Sequence, residues 1–232
     1  MKQWLNQIYQ HLFALFFPDH CAVCRERGNL LCGNCRATLQ AYPTMAVPTD
    51  LVSIQVGWIY DETARRAIHC LKYRGRRRMG GVLAEALATT LTPPEADALI
   101  PVPLHPERLS ERGFNQAEEL ANSLGLCWGI PVCNRGLERE RDTGHQARLN
   151  REARQGNVAG AFFWHGPGRP PARVILIDDV VTTGATLSAC AEALLAAGAE
   201  QVHAIALARS LVRGSSGSAV RRHFAQRRHT QA

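Results

Sequence analysis

Long apolar runs are missing from this chain of 232 residues. No stretch approaches the roughly 18–20 consecutive apolar residues of a membrane-spanning helix, so the sequence predicts no transmembrane segment. Residues 4–17 are rich in apolar side chains, but polar residues interrupt them: Asn6, Gln7, Gln10 and His11. A signal peptide would have a cleaner apolar stretch followed by a small-residue cleavage site, which this segment lacks.

The apolar residues of the same segment recur at helical spacing. They lie on one side of a helix: Leu5, Ile8, Leu12, Leu15 and Phe16. The sequence therefore predicts an amphipathic helix over residues 1–17 that docks on the body of the protein. A helix that lies on a membrane surface or faces a partner is the alternative.

The cysteine pattern of a disulfide-linked protein is also missing. Four of the eight cysteines are scattered in apolar surroundings, as expected of reduced thiols in a core: Cys70, Cys127, Cys133 and Cys190. Reduced thiols and the missing export signal predict a cytoplasmic protein. Peripheral contact with the inner face of the membrane is left open.

The other four cysteines form two CxxC pairs, Cys21-x-x-Cys24 and Cys32-x-x-Cys35, with seven residues between the pairs. Each pair can present two thiolates to one tetrahedral Zn2+, and the short segment between them can fold as a hairpin. Because protein ligands would fill all four positions, the predicted zinc site is structural rather than catalytic. A redox CxxC, the main alternative, would normally stand alone at the start of a helix.

Composition leaves room for one α/β domain and a small appendage, since 46% of the residues are apolar. The predicted segments are an amphipathic helix at 1–17, a four-cysteine zinc module at 18–42, an α/β domain at 43–210 and a basic tail at 211–232. A formal net charge of +7 attracts polyanions, either phosphorylated small molecules or nucleic acid. The tail opens on a Gly/Ser linker, carries no acids and is predicted to be disordered.

The most informative segment runs from Arg173 to Thr186. Four of the five residues at 173–177 are apolar, which predicts a buried strand, and Asp178 and Asp179 follow it directly. A loop of small residues comes next, before a helix predicted over 187–197. Ligands of open α/β sheets bind at the carboxyl ends of strands, where loops lead into helix N-termini. Neither a P-loop lysine nor a dinucleotide glycine pattern competes for the segment, and an ordinary βα turn is the plain alternative.

The residues of this loop suit a phosphate group. Successive backbone N–H groups with a helix dipole behind them bind anions, and threonine hydroxyls can add donors. The predicted phosphate loop is Thr182-Thr183-Gly184-Ala185-Thr186, in which the glycine allows a close backbone approach. Two carboxylates would repel a phosphate, so Asp178 and Asp179 suit the vicinal hydroxyls of a ribose or a divalent metal. Together these groups predict a cradle for ribose 5-phosphate.

Strands and helices alternate through the rest of the chain, which is typical of an α/β fold. The predicted elements are a strand at 51–60, a helix capped by Asp61 that ends at Leu71, a helix at 79–91, a strand at 98–103, a helix at 117–124 and a strand at 201–207, with Gly198 ending the helix before it.

A second anion site is predicted after the strand at 98–103. This strand leads into a loop with Arg108 and Arg112 and then into a helix, which repeats the order of the first site. Solvated surface charge is the alternative for both arginines. Lys72, in a basic loop after the first helix, is the best basic candidate from outside the core.

The segment from Arg173 to Thr186 resembles the phosphoribosyl-pyrophosphate motif of type I phosphoribosyltransferases, which is a hydrophobic strand, two acids and then Thr-Thr-Gly-x-Thr. Further motifs narrow the resemblance: CxxC…CxxC, Leu-Lys-Tyr-x-Gly, Val-Pro-Leu-His-Pro-x-Arg, Arg-Gly-Phe-Asn-Gln-Ala, Arg-x-Thr-x-x-Gln and Asn-Val-x-Gly-Ala-Phe. Their order is similar to that of the ComF/GntX family, which are bacterial proteins linked to natural competence and to the use of external DNA. The likeness covers residues 16–209.

This resemblance implies a type I phosphoribosyltransferase-like parallel sheet, flanked by helices, over residues 43–210, with an amino-terminal zinc module added. It implies that Asp178 and Asp179 are the catalytic acids and face the ribose hydroxyls. The loop at 182–186 would hold the 5′-phosphate, and Mg2+ would accompany phosphoribosyl pyrophosphate.

The resemblance also assigns roles to the basic residues. Arg108 and Arg112 would meet the pyrophosphate, and Arg141 would lie on a mobile flap that closes over the site. Some relatives carry a longer zinc module with more CxxC pairs, whereas this chain has one four-cysteine set. That difference counts against a larger DNA-contacting finger.

Three functions are open at this point. The favoured one is a factor of DNA uptake or utilisation whose transferase-like domain binds phosphoribosyl pyrophosphate, a related phosphoribosyl ligand or a protein of the DNA-uptake machinery. The second is an active Mg-dependent phosphoribosyltransferase of nucleobase salvage, for which residues 36–95 would supply base recognition. The third is a nucleic-acid-binding module that uses the zinc knuckle and the basic tail, with single-stranded DNA as its partner.

Overall fold

The computed structural model of this protein describes residues 19–43, 47–48, 50–72, 77–140 and 160–210. The helix predicted at 1–17, the basic tail predicted at 211–232 and Arg141 lie outside these residues. No helix in the described part of the chain combines the length and the apolar character that crossing a membrane requires.

Helices and strands build one main sheet and one small hairpin within the described residues. In chain order the elements are α1 (Gly33–Ala37), β1 (Ser53–Ile59), α2 (Glu62–Leu71), α3 (Met79–Ala88), β2 (Ala98–Pro101), α4 (Pro106–Arg112), α5 (Gln116–Trp128), β3 (Leu137–Arg139), β4 (Phe162–Trp164), β5 (Arg173–Val181), α6 (Ala185–Ala196) and β6 (Gln201–Arg209). The main sheet is parallel in the order β1-β6-β5-β2, and β3 pairs with β4 in an antiparallel hairpin. The predicted parallel sheet flanked by helices is confirmed.

Both faces of the main sheet are covered, which is why its strands are apolar along most of their length. In β5, Ile175 and Ile177 join the core cluster that includes residues of α2, α3 and α5. Val174 and Leu176 join a second cluster, which includes residues of α6 and of the β3–β4 hairpin. Because successive side chains of a strand point to opposite faces, the sheet separates two cores.

Local signals place helix ends where the sequence predicts them. Asp61 Oδ1 accepts a hydrogen bond from the Ala64 N–H at 2.9 Å, so the prediction that Asp61 caps α2 is confirmed. Gly198 follows α6 with φ +106°, and its N–H donates to the Leu195 carbonyl at 3.0 Å. A left-handed glycine that closes the last turn is a common helix ending.

Three differences from the prediction go beyond small shifts of element ends, such as the continuation of β6 to Arg209. The segment predicted as a loop after β2 contains helix α4, which His105 caps and which Gly113 ends with φ +74°. Strand β5 does not end before the two acids but continues through them to Val181. The β3–β4 hairpin was not predicted, because each strand has three residues, too few to show a period.

A pair of glycine substitutions tests the packing of α5 against residues 130–132, which follow it. A Cβ at Gly125 would lie 2.6 Å from Val132 Cγ2 and 2.8 Å from the Ile130 carbonyl oxygen. Gly125→Ala is therefore expected to lower the free energy of unfolding by about 1–3 kcal/mol. Gly81→Ala, in α3, would meet only Ser123 Oγ at 3.9 Å and should raise it by about 0.5–1 kcal/mol through helix propensity. Urea unfolding of both variants measures this, and a loss of equal size in both would contradict the packing.

Candidate functional site

The carboxyl ends of four parallel strands meet at one edge of the main sheet. At this edge β5 ends at Val181 beside Arg209 of β6, and β2 ends at Pro101 beside Ile177. The chain leaves β5 through residues 182–184 and enters α6 at Ala185. The edge is where ligands of open α/β sheets bind.

The two acids of β5 have different neighbours. Asp179 lies on the side of α2, where its Oδ2 is 3.0 Å from the Nζ of Lys72. Asp178 lies toward α6: burial raises the pKa of the Cys190 thiol in that helix, and the charge of Asp178 raises it further. The structure thus places Lys72 beside Asp179, and the side chains of the two acids interact with each other. A ligand-binding role for Lys72 stays a prediction.

Asp178 is the more perturbed of the two carboxyl groups. Burial raises its pKa to about 8, and the neighbouring charge of Asp179 acts in the same direction. A hydrogen bond from the Asp179 N–H to Asp178 Oδ1, at 2.8 Å, opposes the rise. In the ligand-free protein near pH 7 this carboxyl group therefore tends to keep its proton, which lets it donate a hydrogen bond.

The loop after β5 has the backbone that anion sites require. Gly184 adopts φ +91°, a left-handed conformation that favours glycine, and provides no side chain to cap α6. The Ala185 N–H donates to Thr183 Oγ1 at 3.3 Å. The first N–H groups of a helix have no partner within the helix, and here they open toward this edge with the positive end of the helix dipole. Thr186, in the first turn of α6, is partly exposed.

One contact holds this loop and another holds the helix that follows it. The Arg209 Nε–H donates to the Thr182 carbonyl at 3.1 Å, and the Ser188 hydroxyl donates to Asp50 Oδ2 at 2.8 Å. Sequence reasoning missed Arg209 because the predicted strand stopped at residue 207. Its position after a long apolar run, level with the end of β5, was the available signal.

The predicted second anion site has a different form. Arg108 and Arg112 lie on the short helix α4, which has no buried side chain, and not on a loop. Arg108 is exposed, and Arg112 Nη1 donates to Gln116 Oε1 at 3.0 Å. Asn115 fixes the start of α5 beside β2, because its side chain donates to the Val102 carbonyl at 3.0 Å. The ion pair described for the acids of β5 is made by Lys72, and Arg141 lies outside the described residues.

A second site candidate is the cysteine quartet. The four sulfur atoms of Cys21, Cys24, Cys32 and Cys35 all lie within 4.8 Å of one another. Cys24 Sγ and Cys32 Sγ are 3.6 Å apart, close to the about 3.8 Å between ligands of a tetrahedral site with metal–sulfur bonds of about 2.3 Å. Burial and the neighbouring sulfur atoms raise the pKa of the Cys35 thiol to about 12, a cost that a bound cation would reverse. The quartet can hold a metal ion.

The quartet is attached to the main domain by specific contacts. Arg66 Nη1 in α2 donates to the Val23 carbonyl at 3.0 Å, and Arg78 Nη1 lies 2.9 Å from Asp19 Oδ2. Leu30 is buried in the same core cluster as residues of α2 and α3. The cysteine segment therefore packs against the main domain.

Comparisons with known proteins agree with these features. A family model described as "Phosphoribosyl transferase domain" matches residues 111–224. Competence protein F of Haemophilus influenzae is 37% identical over 116 residues, which cover 49% of this chain and 51% of that protein. The DNA utilization protein YhgH of Salmonella typhimurium is 31% identical over 200 residues, which cover 82% of this chain and 83% of that protein.

One solved structure that matches is glutamine phosphoribosylpyrophosphate amidotransferase from B. subtilis, complexed with ADP and GMP. The match covers 56% of this chain and 25% of that chain, with 24% sequence identity and a TM-score of 0.36. The similarity to YhgH, by contrast, extends over most of both chains. The chain belongs to the ComF/GntX family of competence and DNA utilization proteins, with a phosphoribosyltransferase-type domain.

Proposed function

We propose that this protein acts in DNA uptake or utilisation and that its main domain binds phosphoribosyl pyrophosphate or a related phosphoribosyl ligand. One observation carries the proposal: the two acids of β5 and the uncapped start of α6 lie at the same edge, joined by a three-residue loop with Gly184 at φ +91°. Carboxyl groups beside the first backbone N–H groups of a helix suit a sugar and its phosphate. The names of the relatives support the biological role.

In this proposal each predicted residue keeps a definite place. The 5′-phosphate accepts hydrogen bonds from the loop at 182–186, and the ribose hydroxyls lie against Asp178 and Asp179. Arg108 and Arg112 neutralise the pyrophosphate, and Arg141 belongs to the flap that closes over the site. Arg112 supports this because its guanidinium is already held by Gln116, so less conformational freedom is lost on binding.

The proposal includes two metal ions with different roles. Zn2+ fits the four thiolates of the cysteine quartet and would act only structurally, because protein ligands fill its tetrahedron. Mg2+ fits the acids of β5 together with phosphate oxygens, since it prefers oxygen ligands and often binds through one or two carboxylates. When bound there, it would neutralise charge on the pyrophosphate.

Calorimetric titration with phosphoribosyl pyrophosphate in the presence of Mg2+ tests the proposal. The protein should bind one ligand per chain, and the double variant Asp178→Asn with Asp179→Asn should bind at least about 100-fold more weakly, because hydrogen bonds to charged groups and the metal ligands are lost together. Glu200→Gln is the matched control, since this exposed acid lies at the opposite, amino-terminal end of β6. No binding by the unaltered protein, or equal binding by the double variant, would contradict the proposal.

Two further experiments test the alternative functions, nucleic-acid binding and phosphoribosyl transfer. Removing the residues after Arg213 should leave binding of the phosphoribosyl ligand unchanged, whereas loss of single-stranded DNA binding in this truncated chain would assign that activity to the tail. Release of pyrophosphate on addition of a nucleobase would identify the protein as an active transferase. The double variant should also fail to restore the use of external DNA in a strain that lacks the protein.

A further inference from the structure

Lys72 connects helix α2 to the acids of β5. It is the first residue after α2, and its backbone N–H donates to the His69 carbonyl at 3.0 Å, so the helix end fixes where the side chain starts. The side chain crosses to β5, where Nζ lies 3.0 Å from Asp179 Oδ2. The exposed fractions of the two side chains are 28% and 17%, so solvent and salt screen this pair less than a surface ion pair.

The ammonium group supplies positive charge to two adjacent carboxyl groups. Burial and the charge of Asp179 raise the pKa of Asp178, while the charge of Lys72 acts in the opposite direction. Lys72 thus balances part of the negative charge of this acidic pair without any ligand. Lysine is rare in this chain, which has two lysines, Lys2 and Lys72, and 25 arginines. Position 72 is therefore one of the two where the cation is an ammonium group and not a guanidinium group.

A divalent cation on Asp179 would bind the same carboxylate group that pairs with Lys72. Mg2+ binds carboxylate oxygens at about 2.0–2.1 Å, and an ammonium group on that carboxylate would lie close enough to repel it strongly. The two cations therefore compete for the Asp179 carboxylate. A lysine is suited to leave, because its ammonium is a point charge on a flexible four-carbon stem and can move to nearby phosphate oxygens.

We propose that Lys72 is a resident counter-ion of Asp179 that the divalent cation of a phosphoribosyl ligand displaces. This inference rests on the proposed function, because it concerns the same acids. Free metal competes with the ammonium and binds weakly. A metal–diphosphate complex brings phosphate oxygens that receive the displaced ammonium, so the site selects the complex over either component.

Binding of Mn2+ alone, followed by the electron paramagnetic resonance of free Mn2+, tests the competition without any phosphoribosyl ligand. Lys72→Met should bind Mn2+ about tenfold more tightly than the unaltered protein, because the competing charge is gone. Adding Asp179→Asn to this variant should abolish the gain. Lys72→Gln repeats the test with a polar side chain, and circular dichroism confirms that each variant is folded.

Arg78→Met is the matched control for the loss of one positive charge. Its guanidinium pairs with Asp19 at 2.9 Å, away from β5, so its Mn2+ affinity should equal that of the unaltered protein. Equal Mn2+ affinity in both Lys72 variants and the unaltered protein would overturn the inference. So would no Mn2+ binding by these variants, or the same gain in Arg78→Met.

The Mn2+ test of Lys72 and the ligand-binding test of the proposed function can fail independently. Failure of phosphoribosyl pyrophosphate to bind the unaltered protein would remove the proposed ligand, whatever Mn2+ does. If that ligand binds, Lys72→Met should weaken the Mg2+-dependent binding about tenfold while it strengthens binding of Mn2+ alone. A single variant that moves the two affinities in opposite directions distinguishes displacement from a lysine that only stabilises the fold.

Discussion

Cys24→Ser is expected to remove zinc from the protein and to unfold the segment around the cysteine quartet. Cys24 is the exposed member of the quartet, so the substitution changes little packing apart from the metal site. Binding of structural zinc supplies about 10–16 kcal/mol in zinc-finger peptides near pH 7, and this energy is the folding energy of such a small segment. We expect the metal content to fall from one zinc per chain to nearly none.

The loss should extend beyond the cysteine segment. Cys21, Leu30 and Leu31 are buried in the core cluster that also holds residues of α2 and α3, so unfolding the segment exposes one side of that core. The free energy of unfolding should fall by roughly 5 kcal/mol, as expected when a structural metal is lost. Elemental analysis, thermal unfolding and limited proteolysis between residues 19 and 43 measure the three consequences.

Cys127→Ser is the matched control for this experiment. Cys127 is an exposed cysteine on α5, outside the quartet, so its replacement should leave the zinc content and the melting temperature unchanged. One zinc per chain in Cys24→Ser, or the same loss of stability in both variants, would show that the quartet does not hold a structural metal.

Asp178→Asn is expected to stabilise the ligand-free protein increasingly as the pH rises from about 4 to about 8. Burial and the charge of Asp179 raise the pKa of Asp178 to about 8, whereas in the unfolded chain it returns to about 3.9. Between these values the folded protein holds one proton more than the unfolded chain, so its stability falls as the pH rises. Asparagine cannot lose a proton, and it keeps the oxygen that accepts from the Asp179 N–H.

Near pH 8 the Asp178→Asn variant should have a free energy of unfolding about 1–3 kcal/mol above that of the unaltered protein. This is less than the raised pKa alone would give, because Asp178 is partly exposed. Urea unfolding of the variant and the unaltered protein at several pH values, without Mg2+, measures the difference between them. Taking the difference cancels other titrating groups, such as His203, whose pKa burial lowers. A difference that does not change between pH 5 and pH 8 would contradict the burial of this carboxyl group.

Asp179→Asn should destabilise the ligand-free protein, in contrast to Asp178→Asn. It leaves the Lys72 ammonium without its partner at 3.0 Å, so the variant should be less stable than the unaltered protein at pH 7. Neighbouring acids of one motif would then have opposite effects on stability, although both substitutions should weaken binding of the phosphoribosyl ligand. A stabilising substitution that removes function is typical of residues that are kept for a ligand and not for the fold.

Much of the architecture was predictable because it depends on short-range patterns. Four of the five residues at 173–177 are apolar, which favours a buried strand. Asp61 and Gly198 mark helix ends through hydrogen bonds to residues a few positions away. Helix α4 was not predicted, although His105 and Pro106 stand at its start and Gly113 stands at its end. Proline and glycine also mark loops, and α4 has no buried side chain that would show a helical period. The β3–β4 hairpin depends on a partner distant in the chain, which no local pattern identifies.

The amino-acid sequence by itself determined which groups are available: two acids, a glycine–threonine loop and four thiols in two pairs, each set contiguous or nearly so. Tertiary structure alone decided how those groups differ from one another. Adjacent acids became unequal because packing desolvates Asp178, whereas Asp179 pairs with Lys72. Burial and charge depend on what packs against a side chain, and those neighbours come from distant parts of the chain.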